Sequence, residues 1–312
     1  MKRKQSGFKI MMRLIKLVKP LAFFMVLAVI LGVTGFLCAI QITVVGSMTL
    51  LTAAGINGGL AIKTGCICII IFAVLRGFLH YGEQACNHYI AFKLLAIIRD
   101  KVFKSLRRLT PAKLEGKDKG NLISLITSDI ELLEVFYAHT ISPICIAFLT
   151  SLVMLIFIGR YSIWLMLVAL AAYITVGIII PLVSSKFNKN IGMTYRENSG
   201  SLSGYVLDSM RGLLESIRYN STDTRLNEMN EKTDELNSLQ KKLKKIEGHN
   251  ISITDISIIF FSITMLLVAI CLYQKGTIGF DGLIVSTVAM MSSFGPVAAL
   301  SNLSLIHISE PT

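Results

Sequence analysis

Six stretches of the chain are almost continuously apolar, and polar positions gather in what separates them. The stretches cover residues 21–45, 60–79, 141–158, 163–183, 256–273 and 283–300. Each approaches or reaches the roughly 20 residues that a helix needs to cross a bilayer. A lipid-exposed segment must satisfy its own backbone hydrogen bonds, so the pattern predicts helices. The gaps are unequal. Residues 159–162 (GRYS) and 274–282 are short turns, whereas 79–141 and 183–256 are long, polar and helical in pattern. The first long connection reads as a helix over 91–109, a break at Thr110-Pro111, and a second helix over 120–137. The other reads as a helix over 184–219, a polar turn at 220–224 and a helix over 225–248. The prediction is an all-α membrane protein in which spans two to five continue as two long helical hairpins on one side. At 1.5 Å per residue, an extension of roughly 25 residues would project on the order of 35–40 Å from the membrane.

Composition sharpens the class. Hydrophobic residues make up 53% and charged residues 16% of 312 positions, against about 25% charged in an ordinary soluble domain. The net charge of +12 raises the question of nucleic acid. Its distribution answers otherwise: seven Lys/Arg precede Leu21, nine lie over 93–119 and eleven over 186–245, while the opposite ends of the spans have one cation each, Lys63, Arg160 and Lys275. Positive charge marks the cytoplasmic side, so the amino terminus and both long hairpins are expected inside, with no nucleic-acid partner. The first apolar stretch is too long for a signal-peptide core and is read as retained. Six cysteines are scattered through apolar segments and read as small apolar residues, not as a disulfide framework or metal site. Trp164 and Tyr161 suit an outer membrane interface.

Three segments carry a family resemblance: 76–88 (RGFLHYGEQACNH), 109–120 (LTPAKLEGKDKG) and 128–143 (SDIELLEVFYAHTISP). With two inner hairpins on six spans, they resemble the transmembrane domain of ABC exporters. More narrowly, they resemble the C subunit of the heterodimeric bacterial exporter linked to cytochrome bd assembly and cysteine or glutathione export (CydDC-type). Gln84 stands where that family usually has Arg, and Asn87 where it has Ser. The resemblance implies a bacterial cytoplasmic-membrane transporter working as a dimer with a second, related half-transporter chain. It also implies ATP as the energy source, bound on a nucleotide-binding domain. The 312 residues hold no Gly-x-x-x-x-Gly-Lys-Ser/Thr loop to cradle phosphates, so the chain is expected to stop short of that domain. Residues 1–19 are read as a basic amino-terminal segment, 20–302 as the transmembrane domain, and 303–312 (LSLIHISEPT) as a non-native tail.

Candidate chemistry concentrates in the second span. Arg76, His80, Gln84 and His88 are spaced four apart and form one drifting row on a helix. Tyr81, Glu83 and Asn87 fall in the same arc, opposite Phe78, Leu79, Gly82, Ala85, Cys86 and Tyr89. A charge within a span is costly and ordinarily faces a cavity or partner. Arg76, Tyr81, Gln84 and His88 are therefore the candidate ligand residues, against the plainer reading of a water-facing stripe below the membrane. Arg76 suits a carboxylate of a thiol peptide or a haem propionate. The resemblance associates His88 with axial haem ligation, and neutral imidazole is a good iron ligand. Candidate contacts to the ATPase domains are Pro111, Lys113, Glu115 and Gly120 in one hairpin, and Arg218 and Asp223 in the other. No residue is assigned a catalytic role. Two other classes stay open: a secondary transporter or channel without an ATPase, and a haem-binding membrane subunit.

Overall fold

The computed structural model describes residues 19–56, 59–109 and 141–309. Every element among the described residues is helical. After a 3-10 turn at Lys19–Leu21, α1 covers Ala22–Ala53 and α2 Ile62–Leu109, with α3 at Ser142–Gly159. The chain then forms α4 (Ile163–Ile174), a π-helical segment (Thr175–Ile179), α5 (Ile180–Arg211), α6 (Leu213–Arg218), α7 (Thr222–Gln274) and α8 (Phe280–Ser309). Six of the described segments are long and apolar enough to cross a membrane, and they match the six apolar stretches of the sequence. α2 has 48 residues and α7 has 53, about 72 and 80 Å at 1.5 Å per residue, against roughly 30 Å of hydrocarbon. The extensions are thus continuous with their spans, because no Pro or αL residue interrupts either helix.

Three helices end in the same way. Gly55 (φ 78°), Asn220 (φ 52°) and Gly276 (φ 71°) hold the left-handed position after α1, α6 and α7. At each, the two following amides fold back onto the last turn: Gly55 N–H to Thr52 O and Ile56 N–H to Leu51 O, for example. This is the Schellman arrangement, which occupies otherwise orphaned carbonyls. The widened segment Thr175–Ile179 ends two residues before Pro181. Proline offers no N–H and crowds the carbonyl four residues back, which is a recognised cause of such local widening.

The chain divides into two compact units. The first comprises residues up to 170 and 261–297, and the second 171–260 with the end of the chain. In the first, α1 and α2 run antiparallel at close range. A Cβ on Gly65 would run into the Thr49 side chain, one on Gly35 would lie 3.5 Å from Leu79 Cβ, and one on Gly32 3.4 Å from the Glu83 carboxyl carbon. Between apolar helices in lipid, such close approach supplies the packing that the hydrophobic effect cannot. Further along α2, Ile90, Leu94 and Ile98 are buried with Leu21 and are flanked by Phe24, Met25 and Ile141. Four- and three-residue steps thus keep one face of α2 covered from Glu83 to Ile98.

Candidate functional site

The polar row of α2 is divided by packing. Glu83 and Asn87 are buried, 5% and 4% exposed, whereas Arg76, His80, Tyr81 and His88 are exposed and Gln84 is half-buried. Periodicity alone placed all seven in one arc. The covered face of α2 instead runs along the edge of that arc, through Leu79, Gly82, Glu83, Cys86 and Asn87, because α1 presents its glycines there. Asn87 Nδ2 donates to Glu83 Oε1 at 3.3 Å, and His80 Nδ1 lies 3.1 Å from Glu83 Oε2. Asn87 Oδ1 is buried with no hydrogen-bond partner. Glu83 is the functional-site candidate that sequence reasoning passed over. Its signal was an acidic residue four positions before an Asn within a largely apolar helix.

In the apolar part of α2 that precedes this pair, little is covered: only 6% of that window is buried within the chain. Arg76 emerges among exposed Ile70, Ile71, Val74, Leu75 and Phe78 and has no ion-pair partner among the described residues. A guanidinium in that setting calls for a water-filled cavity or a protein partner. The His88 ring stacks on Phe92, with centroids 6.1 Å apart and planes at 22°. It presents one imidazole on an open helix face. No group of three metal-ligating side chains occurs among the described residues.

The second candidate site is the tip between α5 and α7. A single turn at residues 220–224 was expected there. Instead α5 ends at Arg211, the short helix Leu213–Arg218 follows Gly212, and α7 begins already at Thr222. Arg218 closes α6 and Asp223 lies in the first turn of α7; both are exposed. The Asp223 carboxylate there suits the positive end of the helix dipole. Ser216 is buried and its Oγ donates to Gly212 O, while Ser221 Oγ donates to Ser216 O. Behind the tip, the Tyr205 hydroxyl donates to Glu228 Oε2 at 2.7 Å and Arg225 Nη1 to Ser209 Oγ at 3.1 Å. Arg225 and Lys232 both lie over the Tyr205 ring, at 5.8 and 5.6 Å, within cation–π range. The bond to Glu228 holds the Tyr205 hydroxyl above the usual tyrosine range, aided by slight desolvation and the carboxylate charge.

Sequence patterning also missed an apolar surface at this tip. Met210, Leu213, Leu214, Ile217 and Tyr219 are 51% to 82% exposed. Clustered apolar side chains on a polar projection mark an interaction surface. Pro111, Lys113, Glu115 and Gly120, the contacts expected in the first hairpin, lie outside the described residues.

Comparison with known proteins matches these features to one family. Residues 21–297 match the model of the ABC transporter transmembrane region. A probable ABC transporter ATP-binding/permease protein of Haemophilus influenzae is 43% identical over 301 residues, 96% of this chain and 54% of the relative. The glutathione/L-cysteine transport system ATP-binding/permease protein CydC of the same organism is 23% identical over 176 residues, 56% of this chain and 31% of that protein. An ATP-dependent lipid A-core flippase of Shewanella denitrificans is 24% identical over 183 residues, covering 58% and 30%. The chain thus spans about half the length, or less, of the curated relatives it matches. With six described segments able to span a membrane, two of them within helices of 48 and 53 residues, and with residues 21–297 matched, the chain belongs to the ABC transporter transmembrane family.

Proposed function

We propose that this chain is the membrane half of an ATP-driven exporter, acting in the bacterial cytoplasmic membrane with its amino terminus inside. It works as a dimer with a second, related half-transporter chain. The observation that carries this reading is the exposed apolar patch of Met210, Leu213, Leu214, Ile217 and Tyr219 at the tip of a long polar hairpin. A surface of that kind suits a docking partner, and an ATPase domain is the partner suggested by the relatives, which are named as ATP-binding/permease proteins. Bound to that partner, ATP provides the energy; this chain's own contribution is mechanical. Arg218 and Asp223 border the patch and would orient the contact, with Pro111, Lys113, Glu115 and Gly120 as their counterparts in the other hairpin. The Tyr205 clasp joins α5 to α7, so that force at the tip reaches both spans.

The transported ligand is proposed to be a small thiol, cysteine or glutathione, or a haem-related molecule supporting cytochrome bd assembly. Arg76 would receive its carboxylate, Tyr81 and Gln84 would border the path, and His88 would offer an imidazole to haem iron. The distant likeness to CydC supports the thiol, and the exposed guanidinium of Arg76 suits an anionic group. The test is reconstitution with the ATPase partner in inverted vesicles. Leu214→Asp with Ile217→Asp should abolish ATP-driven glutathione uptake while the chain still inserts, and Arg76→Gln should lower uptake at least tenfold. Uptake unchanged in the tip variant would sink the coupling assignment. An unaltered response to Arg76→Gln would remove Arg76 from the path, and a Soret band surviving His88→Ala would remove His88 as haem ligand.

A further inference from the structure

A cavity of about 330 Å³ opens within the second unit between the start of α5 and the middle of α7. Its walls are the side chains of Ile179, Ile180, Val183, Ile246 and Ile253. Ser184 and Asn250 contribute buried polar groups, and His249 stands exposed at the rim. The volume is at the lower end of the roughly 300–1,000 Å³ typical of small-molecule sites, and such sites share this mostly apolar lining with few polar groups.

Position identifies the occupant. On α5 the cavity lies at the end of the span that closes at Lys186, and on α7 it lies just before the apolar stretch beginning at Ile256. On both helices the next residues outward are cationic. Lys242 precedes Ile246 by four residues and Lys245 precedes His249 by four, so both continue the cavity's own face of α7. Lys186 follows Val183 by three on α5. All three lysines are exposed, and none forms an ion pair among the described residues. The neighbouring Lys244 differs, being engaged with Glu247 at 2.8 Å. An apolar slot, with cations just beyond one end that form no ion pair among the described residues, complements a molecule with a hydrocarbon chain and an anionic head.

We infer that this cavity holds one acyl chain of an anionic phospholipid from the basic-side leaflet, with its phosphate held by Lys186, Lys242 and Lys245. The inference is independent of the transported substrate and of the ATPase contact. A juxtamembrane lysine attracts anionic lipid by a few-fold each, so three together give a preference on the order of 100-fold over a zwitterionic lipid.

The test uses the full chain in vesicles, with Trp164→Phe removing the single native tryptophan and Ile253→Trp placing a reporter in the cavity wall. Brominated phosphatidylglycerol should quench the reporter at far lower mole fraction than brominated phosphatidylcholine. Combined Lys186→Ala, Lys242→Ala and Lys245→Ala should bring the two lipids to the same curve. Val183→Phe, which fills the cavity and leaves the lysines in place, should abolish the preference, with helicity by circular dichroism unchanged. Equal quenching by both lipids in the parent chain overturns the proposal. So does a preference that survives Val183→Phe, since the head group alone would then be recognised at the surface. Displacement by millimolar glycerol phosphate would also overturn it, assigning the lysines to a soluble anion.

Discussion

Gly32 and Gly35 are three residues apart on the same helix, and comparing Gly32→Ala with Gly35→Ala isolates the packing of α1 against its neighbours. Alanine gains up to about 1 kcal/mol over glycine in a helix interior, equally at both positions. The space differs. A Cβ on Gly32 would run into Ile146 Cδ1, 2.9 Å from its Cγ1, whereas the nearest atoms to one on Gly35 are Leu79 Cβ at 3.5 Å and His80 N at 3.8 Å. Ile146 is itself buried at 2% exposure, so its side chain has little room to withdraw. Overpacking of this kind costs about 1–3 kcal/mol. Gly32→Ala should therefore be destabilised by up to about 2 kcal/mol. Gly35→Ala should be neutral or stabilised by up to about 1 kcal/mol. Cys38 is buried on the same helix. In a background where it is the remaining cysteine, labelling by a fluorogenic maleimide during heating in detergent reports unfolding. The two variants should melt several degrees apart, and Ile146→Ala should relieve most of the Gly32→Ala penalty. Equal melting shifts for the two alanines, or a penalty unchanged by Ile146→Ala, would refute the assigned contact.

Three further predictions rest on single interactions. Glu83→Ala and Asn87→Ala should be non-additive by about 0.5–1.5 kcal/mol, the net contribution of an intramolecular hydrogen bond; additivity in a thermal double-mutant cycle would break the pair. Asn220→Gly should preserve the α6–α7 turn, whereas Asn220→Val should cost roughly 1–2 kcal/mol at the left-handed position, seen as faster amide exchange at residues 213–225. In the ultraviolet difference spectrum against Tyr205→Phe, the Tyr205 phenolate should appear above the usual tyrosine range, and Glu228→Gln should bring it down. Because the folded chain holds this proton more tightly, the clasp's contribution is complete below the unfolded tyrosine pKa and is lost as pH rises through the folded one.

The candidate site was legible in part. Arg76 could be found as a cation within an apolar stretch, and the tip between α5 and α7 followed from the length of its connection. Glu83 could not be distinguished from His80 or Gln84, because spacing gives angles around a helix but not which angle a neighbour covers. The exposed patch over residues 210–219 was hidden for a related reason: Leu213, Leu214 and Ile217 read as ordinary helix residues until the structure leaves them uncovered.

What the sequence determined by itself is local or set by lipid. Backbone groups in a bilayer must bond within their own segment, so 18 to 25 apolar residues specify a helix and its approximate ends. An uninterrupted polar helical pattern then specifies its extension. Tertiary structure decided which faces meet. Gly32 accepts Ile146 beside the Glu83 carboxylate, Gly65 accepts Thr49, and the cavity of the second unit depends on side chains from α5 and α7 far apart in the chain. Such choices turn on contacts of a few tenths of an ångström between distant residues, and helical periodicity carries no information about them.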